Sequence, residues 1–121
     1  MNPRNSGKYY EYKTLQILEL EGFKALRIPT SATGKQPLPD IIAVKNGVIY
    51  AIEVKSTSND CVYVDNFQLN KLFEFCEIFN FCNCKPLVLV HYKKYKTVKM
   101  YNLGQDVREK SKTKFIYRAN S

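Results

Sequence analysis

Residues 39–55, PDIIAVKNGVIYAIEVK, consist of two mostly apolar runs separated by Asn46-Gly47. Asn-Gly between two apolar runs is typical of a two-residue β-hairpin, because both positions of a type I′ turn require a positive φ angle. The sequence therefore predicts two antiparallel strands, over residues 40–45 and 48–55, joined by this turn.

The predicted turn also determines which residues of the two strands face each other. With a two-residue turn, Asp40 lies opposite Glu53, and their Cβ atoms are about 5 Å apart on one face of the sheet. Like charges at such a position destabilise a sheet, whereas a divalent cation between them, such as Mg²⁺, is suited to carboxylate oxygens. Strand alternation places Lys55 on the same face as Glu53 and Val54 on the other face.

Two carboxylates and an ammonium group in one patch are suited to hydrolysis of a phosphodiester. A metal held by Asp40 and Glu53 would polarise the phosphate and lower the pKa of a bound water. Lys55 would stabilise the developing negative charge or orient the water. The alternative is an ordinary strand end at which Lys55 forms an ion pair with one of the two acids. The hairpin register and the charge of the chain favour the metal site.

The composition of the chain indicates a single globular domain. Of 121 residues, 45% are hydrophobic and 25% charged, which excludes a wholly disordered chain. The net charge of +8 is typical of a protein that binds a polyanion, most often nucleic acid, although such a charge also keeps a protein soluble. Because no apolar run is long enough to span a bilayer and no signal peptide is evident, we expect a cytoplasmic protein.

A first helix is expected over residues 7–21, with Asn5 or Ser6 as its N-cap and Gly22 in the capping position at its end. Glu11 lies on the apolar stripe of this helix, where a carboxylate is costly unless it is paired or bound to a cation. The alternative is that the stripe ends before Glu11, which would then be solvated in the first turn. The residues alone do not decide between these alternatives.

Four further elements are predicted from periodicity: a strand over residues 23–28, a helix over 66–80, and strands over 86–92 and 97–102. Residues 104–121 are a basic tail that we expect to be partly ordered and to contact DNA or a partner chain. His91 is predicted to be a structural strand residue. The basic turn over residues 93–96 either contacts phosphate or is solvated.

The side chains of the second helix leave two questions open. Asp65 and Gln68 have the spacing of a capping box. Three phenylalanines at the margin of the apolar stripe indicate either a surface for a partner chain or packing at the edge of the core: Phe75, Phe79 and Phe81. The four cysteines are predicted to be buried free thiols rather than disulfide or zinc partners: Cys61, Cys76, Cys82 and Cys84.

Pro39-Asp40 followed by Glu53-Val54-Lys55 resembles the signature of the PD-(D/E)xK nucleases. Around this signature, Gly22-Phe23, residues 27–31 (RIPTS) and residues 37–49 (PLPDIIAVKNGVI) resemble the archaeal Holliday junction resolvases. The resemblance extends over about residues 7–102. It implies a restriction-endonuclease-like α/β core, in which helices flank a mixed five-stranded β-sheet.

The resemblance also implies an activity: Mg²⁺-dependent cleavage of four-way DNA junctions by a homodimer, with paired nicks in opposed strands and Mn²⁺ able to replace Mg²⁺. The short C-terminal end is similar to versions encoded by archaeal viruses, which implies an archaeal host cell. The rival functions are another PD-(D/E)xK nuclease, of restriction or nicking type, and a non-catalytic nucleic-acid-binding module.

Individual roles follow from the same resemblance. Asp40 and Glu53 match the metal ligands, helped by the backbone carbonyl of Val54, and Lys55 matches the catalytic lysine. Glu11 matches an acid near the metal, and we include it among the expected ligands.

Two more residues match family positions. Ser31 matches a loop serine that is required for cleavage, and Gln68 matches a glutamine near the active site, which is the alternative to its capping role. The basic residues that we expect to contact DNA are Arg4, Lys8, Lys13, Arg27 and Lys35.

Overall fold

The structure is a computed structural model that describes residues 7–29 and 36–103 with their side chains, and residues 114–118 as backbone. The expected site residues Arg4, Ser31 and Lys35 lie outside the described residues. The elements in chain order are α1 (Gly7–Leu20), β1 (Lys24–Arg27), β2 (Ile41–Lys45), β3 (Val48–Thr57), β4 (Cys61–Asp65), α2 (Asn66–Ile78), β5 (Asn83–Tyr92), β6 (Thr97–Asn102) and β7 (Lys114–Arg118), with a 3₁₀ turn (Lys93–Tyr95) between β5 and β6.

Five strands form one sheet in the order β1-β2-β3-β5-β6. Only β3 and β5 are parallel, and the other three pairs are antiparallel. A parallel pair requires a crossover connection, which here contains β4 and α2. The predicted mixed five-stranded sheet is confirmed.

The β2–β3 hairpin has the predicted register. Lys45 pairs with Val48, and the turn residues Asn46 and Gly47 have φ angles of 51° and 78°. Positive φ at both positions is the requirement of the type I′ turn. Strand β3 continues beyond the predicted end at residue 55 because it pairs with β5 along its whole length, as far as Thr57.

Helix α1 ends at the predicted glycine. Gly22 has a φ angle of 92°, its N–H donates to Glu19 O at 3.1 Å, and the N–H of Phe23 donates to Leu18 O at 2.9 Å. These two bonds form a Schellman motif, which satisfies the last carbonyls of the helix. The expected N-caps, Asn5 and Ser6, lie outside the described residues.

The core has two parts, one on each face of the sheet. Alternate residues of β5 divide between them, so that Leu87 and Leu89 pack on the α1 side while Val88, Val90 and Tyr92 pack on the α2 side. The domain is therefore a helix–sheet–helix sandwich, in which β4 accompanies α2.

The sequence did not predict the two-stranded sheet, in which β4 pairs antiparallel with β7. Residues 114–118 of the expected tail thus pair with their own chain. The side chains of β4 alternate between buried Val62 and Val64 and exposed Tyr63 and Asp65, which is the pattern of a half-buried strand.

The phenylalanines of α2 differ from one another. Phe75 is buried in the core, and Phe79 is half-buried against it. The partner surface proposed for these two residues was therefore wrong, and packing at the edge of the core was the correct alternative. Phe81 is 97% exposed, and two further apolar residues of α2, Phe67 and Ile78, are also exposed.

Two other expectations can be compared with the described residues. The four cysteines are free thiols, but their predicted burial was wrong, because Cys82 is exposed and the other three are half-buried. Within the part of the chain that the structure describes, no helix has the length and apolar character needed to cross a membrane.

Candidate active site

Strands β2 and β3 bring the three residues of the nuclease signature together. Asp40 directly precedes β2, where its Oδ2 accepts a hydrogen bond from the backbone N–H of Val54 at 2.9 Å. Its own N–H donates to the carbonyl of Ile52 at 3.0 Å. Lys55 Nζ lies 3.8 Å from Glu53 Oε2. The signature residues thus lie in one patch, as the hairpin register predicted.

The two carboxylates lie close enough to perturb each other. Burial raises the pKa of Glu53 to about 7, and the negative charge of Asp40 and a hydrogen bond between the two carboxyl groups act in the same direction. Lys55 and Lys71 oppose this rise in pKa without cancelling it. Burial and the neighbouring carboxylate thus disfavour two negative charges in the pair, and a bound cation would stabilise them.

Glu11 lies beside this pair and forms an ion pair with another residue. Arg27 Nε donates to Glu11 Oε1 at 2.7 Å, and the Arg27 guanidinium lies over the Tyr12 ring at 5.0 Å. Burial and the charge of Asp40 raise the pKa of Glu11, against the lowering effect of Arg27. The sequence left open whether Glu11 is solvated or paired, and the structure shows that it is paired with Arg27. Arg27, expected as a DNA contact, is largely buried in this ion pair.

The side chain of Gln68 lies beside Glu53 and does not form the capping box that the sequence also allowed. Its backbone N–H donates to Asp65 Oδ1 at 2.8 Å, which caps α2. Its side-chain Nε2 donates to Glu53 Oε2 at 3.4 Å rather than returning to the cap. The helix is therefore capped by Asp65, while the amide of Gln68 belongs to the acidic pair.

The chemistry of the oxygen donors matches a hard divalent cation. Asp40 and Glu53 supply carboxylate oxygens in mutual contact, and such oxygens are the ligands that Mg²⁺ prefers. Among residues 7–29 and 36–103, no group of three or more His, Cys, Asp or Glu side chains is arranged to hold a metal. The fit therefore rests on two carboxylates, with Glu11 beside them in its ion pair with Arg27.

A basic cavity of about 340 Å³ lies at the ends of β5 and β6. Lys13 of α1 and Lys93 and Lys96 of the turn line this cavity, and Lys93 Nζ lies 5.2 Å from the centroid of the Tyr10 ring. Because β5 is parallel to β3, the cavity is at the same end of the sheet as Glu53. The cavity opens on the α1 side of the sheet, whereas Glu53 contacts α2.

His91 lies at the wall of the same cavity as a strand residue, as predicted. It is 3% exposed, and its Nε2 lies 2.7 Å from Thr14 Oγ1. Burial lowers the pKa of His91 to about 4, and the positive charge of Lys13 contributes to this shift. His91 is therefore neutral at pH 7 and joins α1 to β5.

Comparison with known proteins identifies the family. The model of the archaeal Holliday junction resolvase (hjc) family matches residues 2–120. The chain is 71% identical over 121 residues to the crossover junction endodeoxyribonuclease of Sulfolobus islandicus rod-shaped virus 1, with 100% of both chains covered. This chain belongs to the archaeal Holliday junction resolvase family. The similarity to a viral version is thereby confirmed.

Cellular relatives of this resolvase are less similar. The crossover junction endodeoxyribonuclease Hje of Saccharolobus islandicus is 43% identical over 90 residues, which cover 74% of this chain and 66% of that protein. The 1.6 Å structure of Hjc, a Holliday junction resolvase from Archaeoglobus fulgidus, superimposes with a TM-score of 0.77 at 22% identity and covers 94% of this chain and 89% of that chain. The restriction-endonuclease-like fold is confirmed.

One residue near the acids of the resolvase was not predicted from the sequence. Lys71 lowers the pKa of Glu53 and follows Gln68 by one turn of α2. Residues three apart on a helix lie on the same face, so the position of Gln68 was a signal for Lys71. Of the other expected DNA contacts, Lys8 and Lys13 are exposed on α1.

Proposed function

We propose that this resolvase cuts two opposed strands of a four-way DNA junction in a reaction that depends on a divalent metal held by Asp40 and Glu53. The observation that carries the proposal is the contact between these two carboxylates, with the pKa of Glu53 raised to about 7. A buried acidic pair of this kind costs free energy in the absence of a cation. Such a cost is typical of functional sites.

Mg²⁺ is the proposed ion, with Mn²⁺ as a substitute. Asp40 and Glu53 would hold it, with the backbone carbonyl of Val54 as a further oxygen donor. When bound, the ion polarises the scissile phosphate and lowers the pKa of a water molecule. The ion pair with Arg27 keeps Glu11 beside this site as a negative charge.

The neighbouring side chains have separate tasks. Lys55 Nζ, 3.8 Å from Glu53, places a positive charge where it can stabilise the charge that develops on the phosphate. Gln68 Nε2 orients the Glu53 carboxylate through its hydrogen bond. The N–H of Val54 fixes Asp40 in the same way, through Oδ2.

Contacts with DNA are assigned to the basic surface on both sides of the acids. Lys8 and Lys13 on α1 and the lysines of the basic cavity lie at the same end of the fold as the carboxylate pair. Phosphate contacts position a duplex without reading its sequence, which suits an enzyme that recognises branched structure. Because junction DNA occurs inside cells, we place the reaction in the cytoplasm of an archaeal host.

Paired cuts require two active sites, so we propose that the resolvase acts as a homodimer. One chain supplies one Asp40–Glu53 pair, and a two-fold axis places a second pair on the opposed strand. The exposed apolar residues Phe67 and Ile78 lie three turns apart on one face of α2, and Phe81 follows the helix. These residues are the candidates for the contact between protomers.

A cleavage assay on synthetic DNA tests the proposed function. The resolvase should cut a four-way junction in Mg²⁺ or Mn²⁺, leave a linear duplex of the same sequence intact, and lose activity in EDTA. Equal cleavage of duplex and junction would favour a restriction or nicking nuclease. Binding without metal-dependent cleavage would favour a non-catalytic binding module.

Mixed dimers test the paired cuts. Dimers of one wild-type and one Asp40→Asn chain should nick a supercoiled plasmid that contains a cruciform, whereas wild-type dimers should linearise it within one binding event. A monomer in sedimentation experiments with and without junction, or linearisation by mixed dimers at the wild-type rate, would contradict the homodimer.

A further inference from the structure

Two thiols are in contact where α2 meets β5. Cys76 lies in the last turn of α2, Cys84 is the second residue of β5, and their sulphur atoms are 2.7 Å apart. This separation is shorter than an ordinary contact between non-bonded sulphur atoms, whereas a disulfide requires about 2.05 Å. A small rotation of either side chain would therefore bring the two atoms to bonding distance.

The surroundings of the pair give access to solutes. Both residues are half-buried, and both line a cavity of about 760 Å³ that also contains the exposed Cys82. Burial raises the pKa of both thiols, and Cys84 raises that of Cys76 further. Because the thiolate is the reactive form, this rise in pKa makes both thiols react more slowly at neutral pH than an exposed cysteine does.

We propose that Cys76 and Cys84 form a reversible disulfide that joins the C-terminal turn of α2 to the first residues of β5. The oxidant is a small-molecule disulfide, which reacts by thiol–disulfide exchange. One thiolate of the protein attacks the small disulfide, releases one thiol and forms a mixed disulfide. The second cysteine then attacks the mixed disulfide and releases the other small thiol. In total, two protein thiols and one small disulfide become one protein disulfide and two small thiols.

The disulfide would stabilise the fold without reaching the acidic pair. It closes the short loop from residue 76 to residue 84, which reduces the conformational entropy of the unfolded chain. Gln68, the residue of α2 that contacts Glu53, is about two helical turns from Cys76, or roughly 12 Å along the helix axis. The expected result of oxidation is therefore a higher unfolding temperature at an unchanged rate of DNA cleavage.

Mass spectrometry of the full chain tests the bond directly. The protein is incubated with oxidised glutathione, the remaining thiols are alkylated, and the denatured chain is cleaved after glutamate without reductant. Cleavage after Glu77 separates Cys76 from Cys84, so the fragments on either side remain joined only if a disulfide connects them. We expect two alkylated thiols instead of four, and a midpoint of thermal unfolding raised by about 10 °C and reversed by dithiothreitol.

Single substitutions identify the partners. The joined fragments and the rise in unfolding temperature should persist in Cys82→Ser and Cys61→Ser and disappear in Cys84→Ser. Four alkylated thiols after oxidation of the wild-type chain would overturn the proposal. Joined fragments in Cys84→Ser would also overturn it, because they would assign the bond to Cys82. The mass measurement does not depend on the stability of any variant.

Discussion

Gln68 of α2 donates a hydrogen bond from its side-chain Nε2 to Oε2 of Glu53 on β3, 3.4 Å away. The amide is available for this contact because Asp65 caps α2 through the backbone N–H of Gln68 and not through its side chain. Two adjacent hydrogen bonds, of which one stabilises the helix and the other orients a carboxylate, can therefore be removed separately.

We predict that Gln68→Ala lowers the rate of junction cleavage 10- to 100-fold, as expected for the loss of a residue that orients a metal ligand. The unfolding temperature should change little, because the backbone donor to Asp65 remains. Asp65→Ala is the matched variant: it should lose about 1 kcal/mol of stability and keep its cleavage rate. The opposite pattern, a loss of stability in Gln68→Ala with normal cleavage, would reduce Gln68 to a capping residue.

Asp40→Asn and Glu53→Gln should each abolish cleavage and keep the affinity for junction DNA, because that affinity comes from phosphate contacts with basic residues. Gel shifts in Ca²⁺ or EDTA measure binding, and a time course in Mg²⁺ measures cleavage. Mg²⁺ should also raise the unfolding temperature of the wild-type chain and not that of either variant, since a ligand stabilises only a state that binds it.

Asp60→Asn is the control for these acid substitutions. Asp60 is exposed and accepts hydrogen bonds from Tyr95 and Lys94, away from the carboxylate pair. Its loss should leave both cleavage and the effect of Mg²⁺ unchanged. Normal cleavage by Asp40→Asn or by Glu53→Gln would exclude the metal site proposed here.

Local patterns predicted much of the fold and of the site. The β2–β3 register followed from Asn46-Gly47 alone, because a two-residue turn fixes every pair of a hairpin. That register placed Asp40, Glu53 and Lys55 in one patch before any tertiary contact was known. Residues that are near in sequence and joined by one turn have few alternative arrangements.

Contacts between distant segments were not predictable in this way. The β4–β7 pair joins Cys61 to Arg118 across more than fifty residues, and no turn links the two strands. The ion pair of Glu11 with Arg27 depends on how α1 is oriented on β1. It was not predicted because hydrophobic periodicity gives the buried face of a helix but not the residues that this face contacts. The same limit explains why Gln68 had two possible roles and why Lys71 was missed.

The contribution of His91 to the stability of the fold should fall on acidification. The pKa of this residue is about 4 in the folded chain, below its ordinary value of 6.5, so between these pH values the unfolded chain binds a proton that the folded chain does not. The contribution of neutral His91 to the free energy of unfolding is fully present above pH 6.5 and is lost as the pH falls towards 4. We expect this contribution to fall by about 2 kcal/mol between pH 7 and pH 5, whereas Glu53, whose pKa is raised to about 7, changes the stability in the opposite direction over the same range.

His91→Gln tests this dependence because glutamine does not titrate and can still bond to Thr14 Oγ1. Lys13 and Lys93 line the same cavity as His91, and both are present in the variant and in the wild-type chain, so the comparison isolates His91. Urea unfolding at pH 7 and pH 5 measures the change in stability of each chain, and Glu53 contributes equally to both. On going from pH 7 to pH 5, this change should be more favourable for the variant than for the wild-type chain by about 2 kcal/mol. Equal changes in stability with pH in the variant and the wild-type chain would mean that the pKa of His91 is the same in the folded and the unfolded state.

The lysines of the basic cavity should contribute to the salt dependence of junction binding. If Lys93 and Lys96 each neutralise a phosphate, their joint replacement by alanine should weaken binding and reduce the slope of log Kd against log salt by about 2, because each contact releases about 0.9 counterion. Lys24→Ala with Lys85→Ala is the matched control, since both lysines are exposed at the end of the sheet away from Glu53, and this pair removes the same charge. The control should keep the wild-type slope. The slopes are measured by gel shift between low and moderate salt. Equal slopes for the two double variants would mean that the turn makes no phosphate contact and that DNA is attracted by the overall charge of the resolvase.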